Sequence, residues 1–211
     1  MAVFNTLEST GVVKVLKKYL IPNNEKESKI LPNKLKTTNK KVIEAKEFEG
    51  FYKAEVILTE TLTNNTVFTA DYIRKIHKVA LEDIYSFAGK YRKVNLSKNG
   101  FLFPGAQFID QSMEYLEKKI LFNLNRLHKS KGKLLAENAK AHAELLFIHP
   151  FREGNGRVAR ILANLIMYKS GYNRLRFEEI KGKLLNEYVI AVQSAGLNDY
   201  TKMIRIFKTI L

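Results

Sequence analysis

Between His149 and Arg160 the chain reads His-Pro-Phe-Arg-Glu-Gly-Asn-Gly-Arg-Val-Ala-Arg. A base, a carboxylate, an amide flanked by glycines and two guanidiniums share one short run. Imidazole is the side chain whose ordinary pKa suits removal of a proton from a hydroxyl near neutrality, which is the role open to His149. If a helix opens at Gly154, Asn155 and Gly156, its unpaired N–H groups and the close approach that glycine permits suit phosphate oxygens. Arg157 and Arg160 stand three apart on one helical face, so their guanidiniums can fork onto successive phosphates of a polyphosphate. Glu153 would repel such a ligand unless a cation lay between them. Mg²⁺, held by one carboxylate plus phosphate oxygens, is the natural bridge. Each piece alone has an ordinary reading: a histidine beside proline is usually structural, Gly-Asn-Gly a turn, an arginine pair a solvated face. Their convergence in one run favours a phosphate site.

Two helices must hold this run. Glu137 to Ile148 has helical composition, and Pro150 both stops a helix and biases His149 away from helical dihedrals. His149 is therefore expected where a helix has just ended. Downstream, Val158, Ile161, Leu162, Leu165 and Ile166 recur at helical spacing, which predicts a helix from Asn155 or Gly156 to Ser170, stopped at Gly171.

The rest of the chain is mostly helical in pattern. Residues 1–37 are expected to hold a short helix, Leu7 to Leu20, and a polar lead-in, with one domain over 38–211. A long helix is expected from about Asn39 to Leu62, with Val42, Ala45, Phe48, Tyr52, Val56 and Leu58 as its core stripe. Thr69 caps a helix running towards Tyr85, with Gly89 as its stop. Further helices are expected over 107–127, 177–195 and 199–211, with a basic loop at 128–133. Between them, Ser97-Lys98-Asn99-Gly100 is flanked by Tyr91, Val94, Leu96, Phe101 and Phe103, a hairpin signal. That hairpin is either a connector or a flap with free edges. His77, His128 and His142 have no metal-ligand spacing and read as non-catalytic.

Composition sets outer limits. The 211 residues suit one domain, and 36 Lys+Arg against 21 Asp+Glu give a net charge of +15, which favours acidic partners without choosing among them. Absence of cysteine excludes a disulfide framework and a thiolate metal site. No secretory signal and no membrane-length apolar run is visible, so a cytoplasmic protein is expected, with secretion by a route lacking an N-terminal signal left open.

The run 149–160 matches in full the pattern His-x-Phe-x-(Asp/Glu)-Gly-Asn-Gly-Arg-x-x-Arg, and in this the chain resembles the Fic family, whose best-known members are protein adenylyltransferases. Ile76-His77, Asp83 to Gly89 and Arg92 resemble the segment preceding that family's target-docking flap, and Tyr188 to Met203 its C-terminal helices. The resemblance implies an all-α Fic-type domain with a small β-hairpin flap over about 91–104, beside the active site. It implies transfer of AMP from ATP to a Ser, Thr or Tyr hydroxyl of a target protein. His149 would be the base, Glu153 the Mg²⁺ ligand, Gly154, Asn155 and Gly156 the anion cradle, and Arg157 and Arg160 the holders of the outer phosphates. Phe151 would anchor the loop, Tyr188 would line the adenine pocket, and Lys98, Asn99, Gly100 and Phe101 would form the flap that clamps the target by main-chain bonds.

Other readings differ in class. In the same fold another phosphate-containing donor could serve, giving phosphate or UMP transfer, although the intact Gly-Asn-Gly-Arg core favours AMP. A basic nucleic-acid-binding module rests on charge alone, and an inactive scaffold is disfavoured by the intact motif. Many family members also carry an inhibitory pattern, (Ser/Thr)-x-x-x-Glu-(Gly/Asn). The nearest match here is Ala45 to Gly50, without the hydroxyl, so Glu49 reads as a solvated carboxylate and a toxin or effector restrained by a separate small antitoxin is expected.

Overall fold

Every residue of 141–148 is buried, so the helix before the motif lies inside on all its faces there. In the computed structural model, which describes residues 24–26, 30–98, 100–125 and 130–211, this helix is central. The expected helix over 7–20, Asn99 and His128 lie outside the described residues. The order is β1 (Asn24–Lys26), α1 (Lys40–Glu60), α2 (Ala70–Leu81), β2 (Asn95–Lys98), β3 (Phe101–Leu102), α3 (Ile109–Tyr115), α4 (Phe122–Leu124), α5 (Lys131–Ile148), α6 (Asn155–Lys169), α7 (Lys183–Ala195) and α8 (Thr201–Thr209). The fold is all-α with one small sheet. Helix α5 packs against α6, α7 and α8, and α6 is backed in turn by α1 and α2.

Side chains close the first turns. Asn39 accepts from the Lys41 N–H at 3.0 Å, Thr69 from that of Tyr72 at 3.0 Å, and Ser130 from that of Lys133 at 3.4 Å. The Ser130 cap starts α5 earlier than composition suggests, so residues 131–133 of the expected basic loop form its first turn. Helix α2 ends at Leu81 rather than Tyr85, and turns carry the chain on to Gly89. The expected helix over 107–127 is interrupted. A 3-10 turn opens it, and Leu116–Leu121 widens to π geometry between α3 and α4, which lets Leu116, Ile120 and Leu121 all face inward. Over 177–195, a 3-10 turn at Phe177–Glu179 precedes α7.

Helix α1 corrects the expected stripe. Its buried face is Ile43, Glu47, Phe51, Ala54 and Leu58, while Val42, Phe48, Tyr52 and Val56 stay exposed, Phe48 at 72% and Tyr52 at 65%. The helix has two apolar stripes, and the one that packs includes a glutamate.

In the sheet, β2 pairs antiparallel with β3 through Ser97↔Leu102 and Lys98↔Phe101. The hairpin does not have two free edges, because β1 pairs parallel to β2 with Glu25 opposite Leu96. Among the described residues no helix is long and apolar enough to cross a membrane.

Candidate active site

His149 caps the C-terminal end of α5 in the left-handed region, at φ 51° and ψ 57°, with its N–H still donating to the Leu145 carbonyl at 3.0 Å. A non-glycine residue rarely takes this conformation, so its surroundings must hold it there. Its Nδ1 lies 3.1 Å from the Leu146 carbonyl, which can only accept, so Nδ1 carries the proton and Nε2 is the acceptor. The ring stacks on Phe103 of the flap at 3.8 Å and 19°. Beneath it, Arg92 is buried and donates to the His149, Val94 and Pro104 carbonyls at 2.7, 2.7 and 2.6 Å.

The loop after His149 is closed from within. Asn155 accepts from the Phe151 N–H at 2.8 Å and returns its amide to the Phe151 carbonyl at 2.7 Å. Its side chain therefore fixes the loop, and only its backbone remains for an anion cradle. Phe151 is fully buried and stacks on His77 at 3.9 Å. His77 accepts the Gly89 N–H on Nδ1 at 2.8 Å, so its Nε2–H donates to the Glu153 carbonyl at 3.1 Å. Burial pushes its pKa down to about 4, which keeps it neutral. Gly154 precedes α6 at φ 79°, where an added Cβ would meet the Phe51 ring at 2.7 Å. Only glycine fits this turn.

Glu153 and Arg157 are coupled. The Glu153 Oε1 accepts from the Gly154 N–H at 2.7 Å and from Arg157 Nη2 at 3.1 Å. That same Nη2 donates to Glu47 Oε2 at 2.6 Å, and the guanidinium lies 4.4 Å over the Phe51 ring. Glu47 is itself held by the Tyr85 hydroxyl at 2.6 Å. A single half-buried carboxylate is the donor set that Mg²⁺ uses when phosphates and water complete its shell. Glu153 fits that requirement, and among the described residues no group of three or more metal-ligating side chains competes.

One cavity of about 400 Å³ gathers half of the expected site. Lys98, Phe101 and Phe103 of the flap line one side, His149, Gly156 and Arg160 the floor, and Tyr188, Val189, Val192 and Gln193 the far wall. Arg160 is exposed and also borders a neighbouring groove, shared with Arg157, Phe48 and Tyr52. Glu153 and Arg157 are not on the wall of the His149 cavity. Gly100 makes the hairpin turn at φ 81°. The Tyr188 hydroxyl lies 2.7 Å from His142 Nε2, while His142 Nδ1 lies 3.1 Å from the Ala159 carbonyl. The imidazole thus donates to α6 and accepts from Tyr188, and burial lowers its pKa to about 3. The hydroxyl of Tyr188 is spent on this bond, which leaves its ring to face a ligand.

Sequence reasoning set aside His77 and His142 and missed Glu47, and it noted Arg92 only as part of a resemblance. Three of the four act on backbone carbonyls, which no side-chain motif records. The fourth, Glu47, had a signal: a carboxylate within the spacing Ile43, Phe51, Ala54, Leu58.

The Fic/DOC family model matches residues 67–167. The protein adenylyltransferase Fic of Nematostella vectensis is 29% identical over 146 residues, covering 68% of this chain and 33% of that protein. That of Aedes aegypti is 25% identical over 181 residues, covering 83% and 35%. The chain thus spans about a third of the length of these curated relatives. Among solved structures, BepC of Bartonella tribocorum, a VirB-translocated effector with bound AMPPNP, matches with a TM-score of 0.72 at 20% identity, covering 92% of this chain and 96% of that one. The ADP-bound N-terminal Fic domain of a Bep effector from Bartonella quintana gives 0.70 at 22%, covering 92% and 94%. At such identities the likeness is one of fold. The family match spans the flap, α5 and the whole motif from His149 to Arg160, and the chain carries a Fic/DOC family domain.

Proposed function

We propose that this chain is a protein adenylyltransferase that moves the AMP moiety of ATP onto a Ser, Thr or Tyr hydroxyl of another protein. The observation that carries the reading is the cavity in which His149, Gly156 and Arg160 open towards Lys98, Phe101 and Phe103 of the flap. The names of the curated relatives support the reaction, and the AMPPNP and ADP bound in the structural neighbours support ATP as donor.

In this reading the adenine side lies against Tyr188, Val189 and Val192, and the phosphates meet the start of α6. The first N–H groups of α6 and the Arg160 guanidinium neutralise phosphate charge, and Arg157 reaches the outer phosphates from the adjoining groove. Glu153 would hold Mg²⁺, which would supply charge neutralisation for the phosphates. The target hydroxyl gives its proton to His149 Nε2 as its oxygen bonds to the α-phosphorus. The bond from that phosphorus to the bridging oxygen breaks, and pyrophosphate departs. A target strand adds to the flap at the outer edge of β3, because β1 and β3 already occupy both edges of β2. Restraint comes from a separate small antitoxin.

Incubation with Mg²⁺ and ATP labelled at the α-phosphate should place label on protein and release pyrophosphate. Label arriving only from the γ-phosphate would replace this reading with phosphate transfer. Label from neither would remove it.

A further inference from the structure

Arg92 is 4% exposed, and every partner recorded for its guanidinium is a backbone carbonyl. Nε donates to His149, Nη1 to Val94, and Nη2 to Pro104 and, at 3.4 Å, to Ile148. Its own N–H donates to the Pro150 carbonyl at 2.8 Å. A buried charge without a carboxylate is costly to fold, and burial lowers this guanidinium to about 10 without discharging it. Part of the compensation is place: the guanidinium sits at the C-terminal end of α5, where carbonyls carry partial negative charge.

The four carbonyls belong to three parts of the site. Ile148 and His149 end the helix that presents the imidazole. Val94 leads into the flap, and Pro104 follows directly on Phe103, the ring stacked on His149. One planar fork therefore fixes the backbone behind His149 and the backbone at both ends of the flap. Lysine, a point donor on a flexible stem, cannot reproduce that geometry.

We propose that Arg92 is a positioning residue that sets the His149 imidazole against Phe103 and so fixes the gap between the base and the flap. It touches neither nucleotide nor target. The effect on turnover rests on the transfer reaction proposed above, but the effect on the ring stack does not.

The test uses Arg92→Lys in the full chain, with histidine ring signals read by NMR and the His149 signal assigned by its loss in His149→Ala. The His149 signal should move from its ring-current-shifted position, while those of His77 and His142 stay in place. Turnover with α-labelled ATP should fall about 10- to 100-fold, with KM for ATP changed less than about 3-fold, as expected when a reacting group is misplaced by a fraction of an ångström. An unmoved His149 signal would overturn the proposal, as would joint movement of all three histidines with loss of ATP binding. If Arg92→Lys does not fold, Phe103→Leu decides. It leaves the Arg92 bonds in place and should lower turnover at an almost unchanged Tm, whereas wild-type turnover would overturn the proposal. Should the wild-type chain transfer no label, the NMR shift still decides the role of Arg92, and the reaction is what fails.

Discussion

Glu47 Oε2 lies 2.6 Å from Arg157 Nη2, joining α1 to the motif across 110 positions of sequence. The carboxylate that reaches the motif from this helix is therefore not Glu49, which is exposed and pairs with Lys46 at 2.7 Å. It also meets Arg157 rather than Arg160. Since Arg157 Nη2 holds Glu153 as well, Glu47 takes part of a positive charge that Glu153 would otherwise monopolise. Glu47→Gln should then tighten the Arg157–Glu153 pair and make Glu153 harder for Mg²⁺ to capture. We expect the half-saturating Mg²⁺ concentration for label transfer to rise about 3- to 10-fold, the scale of a partly exposed ion pair of about 1 kcal/mol. An unchanged Mg²⁺ dependence would separate Glu47 from the metal site.

Glu49 should be silent. Its side chain is solvated, and its ion pair with Lys46 is of the surface kind that contributes little. Glu49→Ala should leave the transfer rate of the isolated chain within about 2-fold of wild type, because no contact joins it to Arg160. A large rise would mean that restraint is built into α1 after all.

Stability should depend on pH in a window set by three buried groups. His77 and His142 have folded pKa values pushed by burial from 6.5 down to about 4 and about 3. Glu144 is pushed by burial from 4.5 up to about 7, against the opposing bond from the Tyr200 hydroxyl. Between pH 4.5 and 6.5 the unfolded chain therefore binds two more protons at the histidines and one fewer at Glu144. The histidine contribution is present above 6.5 and lost on acidification, while that of Glu144 is present below 4.5 and lost as pH rises towards 7. The net of one proton predicts that these groups raise stability by about 1.4 kcal/mol per pH unit across the window. Glu144→Gln should roughly double that slope and be the more stable protein above pH 7. Urea unfolding at several pH values checks this, and parallel slopes for the two proteins would contradict it.

The flap should act on the target rather than on ATP. Lys98 sits in β2 opposite Phe101, and proline there removes a main-chain donor and distorts the pair. Lys98→Pro should lower target labelling about 10-fold or more with ATP binding little changed, if the target docks by strand addition. Equal loss of both would indicate general damage to the cavity wall.

The candidate site was legible in the sequence because the groups from His149 to Arg160 are contiguous, and Pro150 and the two glycines announce the break between helices. What supports them was not legible, because it comes from afar and works on backbone. Nothing in the residues around His77, Arg92 or His142 says that their partners are the carbonyls of Glu153, His149 and Ala159. Helix α1 misled for a simpler reason. Counting only apolar residues selects Val42, Phe48, Tyr52 and Val56, because the stripe that packs is interrupted by Glu47, whose charge is met by Arg157 and Tyr85. The π turn at Leu116–Leu121, along which Leu116, Ile120 and Leu121 are buried, likewise has no signature in the apolar spacing.

The central claim is that His149 takes the proton of the attacking hydroxyl. It is tested most directly by comparing wild type and His149→Ala for transfer of α-labelled AMP from ATP onto protein, with ATP binding measured in parallel. The account predicts a fall in transfer of about 10²- to 10⁴-fold, the usual contribution of a positioned base, with ATP affinity nearly intact. Transfer at the wild-type rate in His149→Ala would contradict it.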